Sequence, residues 1–310
     1  MSSPAADSAL EAPGQVCGSR STNRRTRAEM QAIREAIYEI LHEIQPATVR
    51  QVYYQLVGRG VIAKTEAEYK STVVRLLTAM RRAGEIPFGW IADSTRWMRK
   101  PTSYAGLSDM MEQQQRFYRR ALWDSQAAYV EIWLEKDALS GVLYDVTAEF
   151  DVPLMVTRGY SSISYLHEAA EAISENGKPA FLYYFGDYDP SGCDITRAVE
   201  AGIREFAPKA NIHFTRVAVT PDQIRRLNLT TRPTKESDSR SRNFEGDSVE
   251  VDAIAPSTLR LMVRKCIEAH LDREEFRRLQ VVEEEERETL RRIARNFYAP
   301  GGKPEGDRLE

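Results

Sequence analysis

Short apolar segments alternate with helix-like segments in the middle of this chain of 310 residues. Tyr129 to Leu134 and Leu182 to Phe185 have the length and composition of buried strands. Between them lie a helical stretch from Asp137 to Phe150, an apolar run from Val152 to Val156 and a second helical stretch from Ser161 to Glu175. This β-α-β-α-β order predicts a parallel sheet and a mixed α/β fold.

Acidic residues follow two of these predicted strands. Glu135 comes directly after the first, and Asp187 and Asp189 come after the second, within Gly-Asp-Tyr-Asp-Pro-Ser-Gly. Ligands collect at the carboxyl ends of parallel strands, and carboxylates two residues apart point the same way on an extended backbone. Hard divalent cations prefer such oxygens, so Glu135, Asp187 and Asp189 are predicted to bind Mg²⁺. The alternative is a turn or a helix N-cap made by the paired acids.

A second motif lies near the N-terminus, in Thr48-Val-Arg-Gln-Val-Tyr-Tyr-Gln-Leu-Val-Gly-Arg-Gly60. It follows an amphipathic stretch from Arg27 to Ile44. Pro46, which comes next, is expected to start a new helix. Helical spacing places an apolar stripe on Val49, Val52, Tyr53, Leu56 and Val57. Tyr53 is therefore predicted to be a core residue, whereas Tyr54 turns off the stripe.

Tyr54 has Arg50 one turn before it and Gly58 one turn after it on the same helix face. An accessible phenol beside a guanidinium suits attack on a phosphate, because arginine can hold a phosphate oxygen bidentately. A phenol with a pKa of ~10 needs a base, a cation or a metal to become a good nucleophile. The alternative is a surface Tyr-Arg pair without chemistry.

These motifs carry a family resemblance. A Glu after one strand and Asp-x-Asp-x-x-Gly after a later one resembles the Toprim domain of topoisomerases, primases and some nucleases. Arg-x-x-Tyr-Tyr N-terminal to it resembles the topoisomerase VI A subunit and the related meiotic double-strand-break transesterase. The resemblance covers about Arg27 to His270 and is closest to the compact Mini-A proteins of bacteria and mobile elements.

The resemblance implies a winged-helix domain followed by a Toprim-like domain. Tyr54 corresponds to the DNA-cleaving tyrosine and Arg50 to the arginine one turn before it. It also implies a homodimer in which the tyrosine of one subunit works with the metal site of its neighbour. Glu250 and Asp252 share a face and, with Lys136, are candidates for groups around the metal ligands. No ATPase motif is present in the sequence, so strand passage would need a separate ATPase subunit.

The rest of the N-terminal third suits a winged helix that binds DNA. Glu68 to Ala83 is predicted to be a third helix, followed by a β-like stretch from Ile86 to Asp93 and a basic segment with an internal tryptophan. Lysine and arginine on the later helix and the wing would neutralise phosphates. The candidates for DNA contact are Lys70, Arg75, Arg81, Arg82, Arg96, Arg99 and Lys100. The alternative is that these charges form solvated faces.

The length of the chain, its composition and the family resemblance together imply four parts. We expect a disordered basic arm at 1–26, the tyrosine domain at 27–125, the metal-binding domain at 126–270 and a charged C-terminal helix and tail at 271–310. The net charge of −3 does not mark a general nucleic-acid binder, so any DNA surface would be local. Cys17, Cys193 and Cys266 form no Cys-x-x-Cys pair, and no apolar span is long enough to cross a bilayer. A cytoplasmic protein without membrane contact is expected.

Two other functions fit the same residues. The first is a metal-dependent nuclease, in which water attacks the phosphate and Tyr54 is structural. The second is a non-catalytic DNA-binding protein of a mobile element or a defence system, in which the acids anchor a structural Mg²⁺. Protein attached to the broken DNA end would distinguish the transesterase from both.

Overall fold

A computed structural model describes residues 25–92, 101–233, 244 and 246–298. Arg96, Arg99, Lys100, nearly all of the predicted arm and residues 234–243 and 245 lie outside these residues.

Helices form the N-terminal unit. Helix α1 spans Arg27–Ile44 and α2 spans Val49–Gly58, while a π-helical segment, Glu68–Val74, continues directly into α3, Arg75–Arg82. Capping boxes fix the starts of α1 and α2, because the Thr26 and Thr48 hydroxyls each accept a hydrogen bond from the backbone three residues later. The predicted third helix is confirmed. These helices enclose a core that includes Ile37, Ile40, Leu41, Val52, Leu56, Val73, Leu77 and Met80.

The β-like stretch predicted after α3 is wrong for most of its described length. Phe88–Trp90 forms a short 3₁₀ turn, and Ile91 makes an isolated bridge to Ala47. Pro87 has no backbone N–H to give to a ladder, and Gly89 has no side chain to pack, so this segment is a poor strand.

A parallel four-stranded sheet follows, as the sequence predicts. Its strands are β1, Tyr129–Leu134; β2, Leu154–Val156; β3, Ala180–Phe185; and β4, Ile212–Ala218. The strand order is β2-β1-β3-β4, and Leu134 at the end of β1 pairs with Phe185 at the end of β3. The mixed α/β class is confirmed, and the residues after β1 and β3 are neighbours at one edge.

Helices cover both faces of the sheet. They are α5, Ser140–Glu149; α6, Ile163–Asn176; α7, Pro190–Phe206; α8, Pro221–Arg226; and α9, Pro256–Glu268. Ile132 of β1 lies in the core that α5 and α9 share, whereas its neighbour Trp133 lies in the core that α6 and α7 share. Burial on both faces explains why the inner strands β1 and β3 are nearly continuous apolar runs.

Two further helices complete the described chain. Helix α4 spans Leu107–Phe117 and packs along α10, Arg273–Tyr298, which matches the C-terminal helix that the sequence predicts. The buried carboxylate of Glu283 on α10 accepts a hydrogen bond from the backbone N–H of Arg120 at 2.8 Å. This contact ties the segment before β1 to the C-terminal helix.

Candidate active site

Glu135 and Asp187 meet at the carboxyl ends of β1 and β3. The backbone N–H of Asp187 donates a hydrogen bond of 3.1 Å to Oε2 of Glu135. Burial and then the charge of Asp187 raise the pKa of Glu135 to about 7. Burial also raises the pKa of Asp187, although Lys136 and the N–H of Val251 act against it. The predicted convergence of these two acids is confirmed.

Two glycines make this close approach possible. A Cβ atom on Gly186 would overlap Oε2 of Glu135 and would lie 2.6 Å from Cε1 of the buried Tyr184. A Cβ atom on Gly192 would overlap the carbonyl oxygen of Asp187. Only glycine leaves room at both positions, which gives the two glycines of the Gly-Asp-Tyr-Asp-Pro-Ser-Gly segment a steric role.

Asp189 has a different neighbourhood. It is the N-cap residue of α7, and its Oδ1 accepts a hydrogen bond of 2.7 Å from the N–H of Gly192. Its Oδ2 lies 3.4 Å from Nη2 of Arg232. The helix-cap interpretation of the second aspartate therefore applies in this structure, and Asp189 is joined to the site through Arg232.

Lys136 lies at the centre of a second group of acids. Its Nζ is 2.8 Å from Oδ2 of Asp252, 3.1 Å from Oδ2 of Asp187 and 3.2 Å from Oε2 of Glu250. Burial opposes the charged form, but the three carboxylates outweigh it and raise the pKa of Lys136. The sequence predicted these residues near the ligands, and the structure places Lys136 in direct contact with one of them.

Arg216 on β4 holds the backbone of the acidic loop, and sequence reasoning missed it. Its guanidinium donates to the carbonyl oxygens of Gly186 at 3.2 Å, Gly192 at 3.1 Å and Val219 at 3.2 Å, and also to that of Asp187. An arginine followed directly by the apolar residues Val217 and Ala218 was the available signal. Arg216 therefore fixes the loop that carries both aspartates.

Tyr54 is buried, contrary to the prediction of an accessible phenol. Its side chain is 6% exposed and belongs to the N-terminal core cluster. Helical spacing predicted that Tyr54 turns away from the stripe, but the structure places it in the same core as Val52 and Leu56, and α2 also packs against the 3₁₀ turn Val251–Ala253. A contact between segments two hundred residues apart leaves no trace in helical periodicity, which is why the prediction failed.

Charged side chains surround Tyr54. Burial and the carboxylate of Glu250 raise the pKa of Tyr54, while the positive charges of Arg50, Lys136 and Arg232 act in the opposite direction. The Nζ atom of Lys64 lies 5.8 Å from the centre of the Tyr54 ring. In this conformation the phenol is protonated at neutral pH, so its activation requires a change in these surroundings.

Arg50 connects the tyrosine helix to the acids. Its Nε lies 3.3 Å from Oε2 of Glu250, and its Cζ stacks 4.5 Å from the centre of the Tyr69 ring. A crevice of about 210 Å³ opens beside it, lined by Arg50, Tyr69, Arg81, Ile91 and Ala138 among others. Two arginines and an aromatic ring therefore line one gap between the N-terminal unit and the sheet.

The other predicted DNA contacts differ in placement. Arg75 and Arg82 are exposed on α3, and the exposed Lys70 pairs with Glu66 at 3.4 Å. Arg81 is half-buried beside the Phe88 ring. All four side chains lie on the third helical segment, and Arg81 is the one of the four that lines the crevice beside Arg50.

The acids fit a divalent cation in part. Glu135 and Asp187 are adjacent hard oxygen donors whose raised pKa values reflect burial without full charge compensation. A cation beside them would offset the free-energy cost of burying their negative charges. Within the described residues, however, His, Cys, Asp and Glu form no group of three or more arranged to hold a metal ion. The fit is therefore limited to Glu135 and Asp187, with Asp189 held apart by its cap and Arg232.

Comparisons with protein-family models and with curated proteins give no match to this chain. Among the helices of the described residues, none has both the length and the apolar character that crossing a membrane requires.

Proposed function

We propose that this chain is a DNA-cleaving tyrosine transesterase of the topoisomerase VI A type, built from a winged-helix domain and a Toprim-like domain. One observation carries the proposal. Two motifs that lie far apart in the sequence meet through Glu250, which pairs with Arg50 of the tyrosine helix and with Lys136, and Lys136 in turn contacts Asp187. A nucleophile, cations and buried acids at one place are the parts that phosphoryl transfer needs.

The step is an exchange of one phosphodiester for another. The Tyr54 oxygen forms a bond to phosphorus, one bridging P–O bond to the sugar breaks, and the departing sugar oxygen gains a proton equivalent to the one that the phenol loses. The chain is left covalently attached to one DNA end. Because the number of phosphodiester bonds is unchanged, the reverse step needs no external energy source.

Arg50 is the residue that would hold the phosphate beside Tyr54. In this structure its guanidinium faces the carboxylate of Glu250 at 3.3 Å. A phosphate has the same charge sign and the same preference for a guanidinium. We infer that an incoming phosphate takes the place of Glu250 on Arg50, one turn before Tyr54 on α2.

Glu135 and Asp187 would hold the Mg²⁺ ion, with Asp189 as a further candidate. When bound, the ion supplies positive charge that offsets charge developing on the phosphate. Lys136 supplies positive charge to the same region from the chain itself. Arg216 keeps the acidic loop in place through its backbone carbonyl oxygens.

The proposed partner is double-stranded DNA, with the chain acting as a homodimer. Two Tyr54 side chains would then break both strands, and a separate ATPase subunit would be needed to drive strand passage. Arg75, Arg81, Arg82 and Lys70 are the described side chains proposed to contact the DNA backbone.

The test is cleavage of supercoiled plasmid with Mg²⁺, stopped with denaturant and analysed with and without protease. We expect protein-linked breaks from the native chain and none from Tyr54→Phe. Tyr53→Phe is the matched control, since it removes the neighbouring hydroxyl, which donates to the carbonyl oxygen of Thr65 at 3.3 Å. The control should keep the protein-linked breaks.

A metal-dependent nuclease is the second candidate, and the burial of Tyr54 favours it. In that case water attacks the phosphate, the breaks carry no protein and Tyr54→Phe retains them. Intact plasmid under conditions of demonstrated binding would instead favour a non-catalytic DNA-binding protein.

A further inference from the structure

A pocket of about 560 Å³ lies between the start of α1 and the segment that leads into α3. Its lining is dominated by arginines and hydroxyl side chains, namely Arg25, Arg27, Arg75, Thr26, Ser71 and Thr72. Tyr54, Glu135 and Asp187 are not among the described residues that line it. The pocket is therefore separate from the candidate active site, and its lining indicates an anionic ligand.

An ion pair fixes one wall of this pocket. The guanidinium of Arg25 donates from Nη1 to Oε2 of Glu68 and from Nη2 to Oε1, both at 2.7 Å. Nη1 also donates to Oγ1 of Thr72 at 3.1 Å. Two parallel bonds between a guanidinium and a carboxylate are geometrically specific. Arg25 therefore joins the residue before the cap of α1 to the π-helical segment and holds the two sides of the pocket together.

Two further arginines of the pocket have guanidiniums that are open to a ligand. Arg27 is the first residue of α1, Arg75 is the first residue of α3, and both are exposed. Within residues 25–92, 101–233, 244 and 246–298, neither guanidinium has a hydrogen bond or an ion pair. Two guanidiniums from different helices can therefore bind one ligand in this pocket.

Positive charge exceeds negative charge around the pocket. The three arginines are opposed by Glu68, which pairs with Arg25, and by Glu29, whose Oε2 accepts from the backbone N–H of Thr26 at 2.7 Å. These hydrogen bonds hold the pKa values of both carboxyl groups below their usual range. Three cations against two carboxylates leave one positive charge in excess, which an anionic ligand would balance.

A phosphate group fits this arrangement better than a carboxylate does. The two oxygens of a carboxylate lie in one plane and satisfy a single guanidinium, whereas the oxygens of a tetrahedral phosphate can face two guanidiniums from different directions. The hydroxyl of Ser71 adds a donor, and that of Thr72 accepts from Arg25 and keeps its own proton to donate. The volume lies within the range of small-molecule sites, roughly 300–1,000 Å³, so the groups esterified to the phosphate also have room.

We propose that this pocket binds a phosphate group, with Arg27 and Arg75 as its direct ligands and Arg25 as a positioning residue. The inference goes beyond the proposed function, because neither Tyr54 nor Mg²⁺ takes part. The phosphate can belong to the backbone of a DNA duplex or to a free nucleotide. Both sources present the same chemistry to the two guanidiniums, and the experiment separates them.

Binding measurements without Mg²⁺ test the pocket without cleavage. Binding of a short fluorescent DNA duplex is followed by anisotropy and binding of ATP by titration calorimetry, for the native chain and for Arg27→Gln with Arg75→Gln. We expect the double variant to bind at least one probe roughly tenfold more weakly, because charge-assisted hydrogen bonds are lost. A loss for DNA alone identifies a backbone phosphate, and a loss for ATP identifies a nucleotide phosphate. Arg27→Gln alone should weaken the same probe as Arg75→Gln alone, since both residues hold one phosphate.

The matched control is Arg226→Gln with Arg277→Gln. It removes the same charge from exposed arginines on α8 and α10, which do not line the pocket. The control should bind both probes as the native chain does. Equal losses in the control and the pocket variant, an effect of Arg75→Gln without one of Arg27→Gln, or no binding of either probe to the native chain would overturn the inference.

Chemical modification of the native chain avoids the risk of a misfolded variant. Phenylglyoxal reacts with accessible guanidiniums, and mass spectrometry of the digested chain reports the extent of reaction at each arginine. The probe that binds should protect Arg27 and Arg75 severalfold and leave Arg226 as reactive as before. Unchanged reactivity of Arg27 in the presence of both probes would contradict the inference. A native chain that shows this protection but never forms protein-linked breaks would refute the proposed function alone.

Discussion

The backbone N–H of Asp187 donates to the carboxylate of Glu135 at 3.1 Å, and this bond joins the ends of two neighbouring parallel strands. The bond exists because Gly186, between β3 and Asp187, has no side chain where the Glu135 carboxylate lies. The acidic site thus depends on the absence of a side chain at Gly186 as much as on the acids themselves.

Gly192→Ala should destabilise the chain and disturb the acidic loop. The new Cβ would overlap the carbonyl oxygen of Asp187, which is backbone and already held by Arg216. Neither atom can move without breaking other contacts, so we expect a loss of about 1–3 kcal/mol in the free energy of unfolding. Urea denaturation followed by circular dichroism measures it.

Gly58→Ala is the control for this substitution. Gly58 lies at the end of α2, and a Cβ there would meet no atom within 4 Å. The free energy of unfolding of the Gly58→Ala variant should exceed that of the native chain by at most about 1 kcal/mol. Equal losses for both variants would refute the steric argument.

Arg216→Met should unfold more readily than Arg216→Lys, and both more readily than the native chain. The guanidinium serves four backbone carbonyl oxygens and the hydroxyl of Thr196. Methionine leaves these buried acceptors without a donor, at a cost of ~2 kcal/mol or more. Lysine keeps the charge but lacks the planar fork. Chemical denaturation ranks the three proteins, and equal stability of methionine and native forms would contradict the assigned role.

The parallel sheet was predictable from the sequence because its signal is local. Strand and helix lengths between Tyr129 and Phe185 determine the order of elements, and acids directly after strands must lie at one edge. The capping of α7 by Asp189 was also predictable as an alternative, since Asp followed by Pro commonly starts a helix.

The surroundings of Tyr54 were not predictable in the same way. The spacing of apolar residues on α2 shows only which side chains share a helix face. The burial of Tyr54 depends on residues near Glu250 that pack against α2. Arg232 contacts Glu250 and Asp189, and an isolated β-bridge to Ser248 holds its backbone there. The residues between Arg232 and Ser248 have the composition of a loop, which gives no sign of this pairing. Long-range contacts of this kind require the folded chain.

The buried carboxylate of Glu131 should make stability fall as the pH rises. Burial raises the pKa of Glu131 to about 7, although Tyr129 and Trp133 donate hydrogen bonds to it. The folded chain therefore binds this proton more tightly than the unfolded chain, whose value is near 4.5. The stability that the proton on Glu131 gives the folded chain is lost as the pH rises from about 4.5 to 7. The loss amounts to about 3 kcal/mol of the free energy of unfolding.

Glu131→Gln isolates this effect. The amide can accept from the Trp133 N–H and donate to the Tyr129 oxygen, so both contacts are kept without a charge. The stability of the variant relative to the native chain should rise from pH 5 to pH 8. Glu168→Gln, the same change at an exposed position on α6, controls for the substitution. A constant difference across the pH range would show that Glu131 does not titrate there.

Lys136→Met should be among the most destabilising substitutions at the site. Its ammonium group contacts Asp187, Glu250 and Asp252, and all three carboxylates are buried. Removing the only cation that these acids share among the described residues leaves buried negative charge in excess, which costs about 3–5 kcal/mol. Lys136→Arg retains the charge and should lose less. Denaturant unfolding of both variants measures the difference.

A double variant decides whether charge or packing is responsible. Asp252→Asn removes one negative charge and keeps an oxygen that can accept from Thr48. If excess charge destabilises Lys136→Met, then adding Asp252→Asn recovers part of the lost stability, although Asp252→Asn alone destabilises the native chain. Additive losses in this double-mutant cycle would mean that Lys136 acts through packing. Recovery would establish that a lysine from the chain itself balances the acids next to Tyr54.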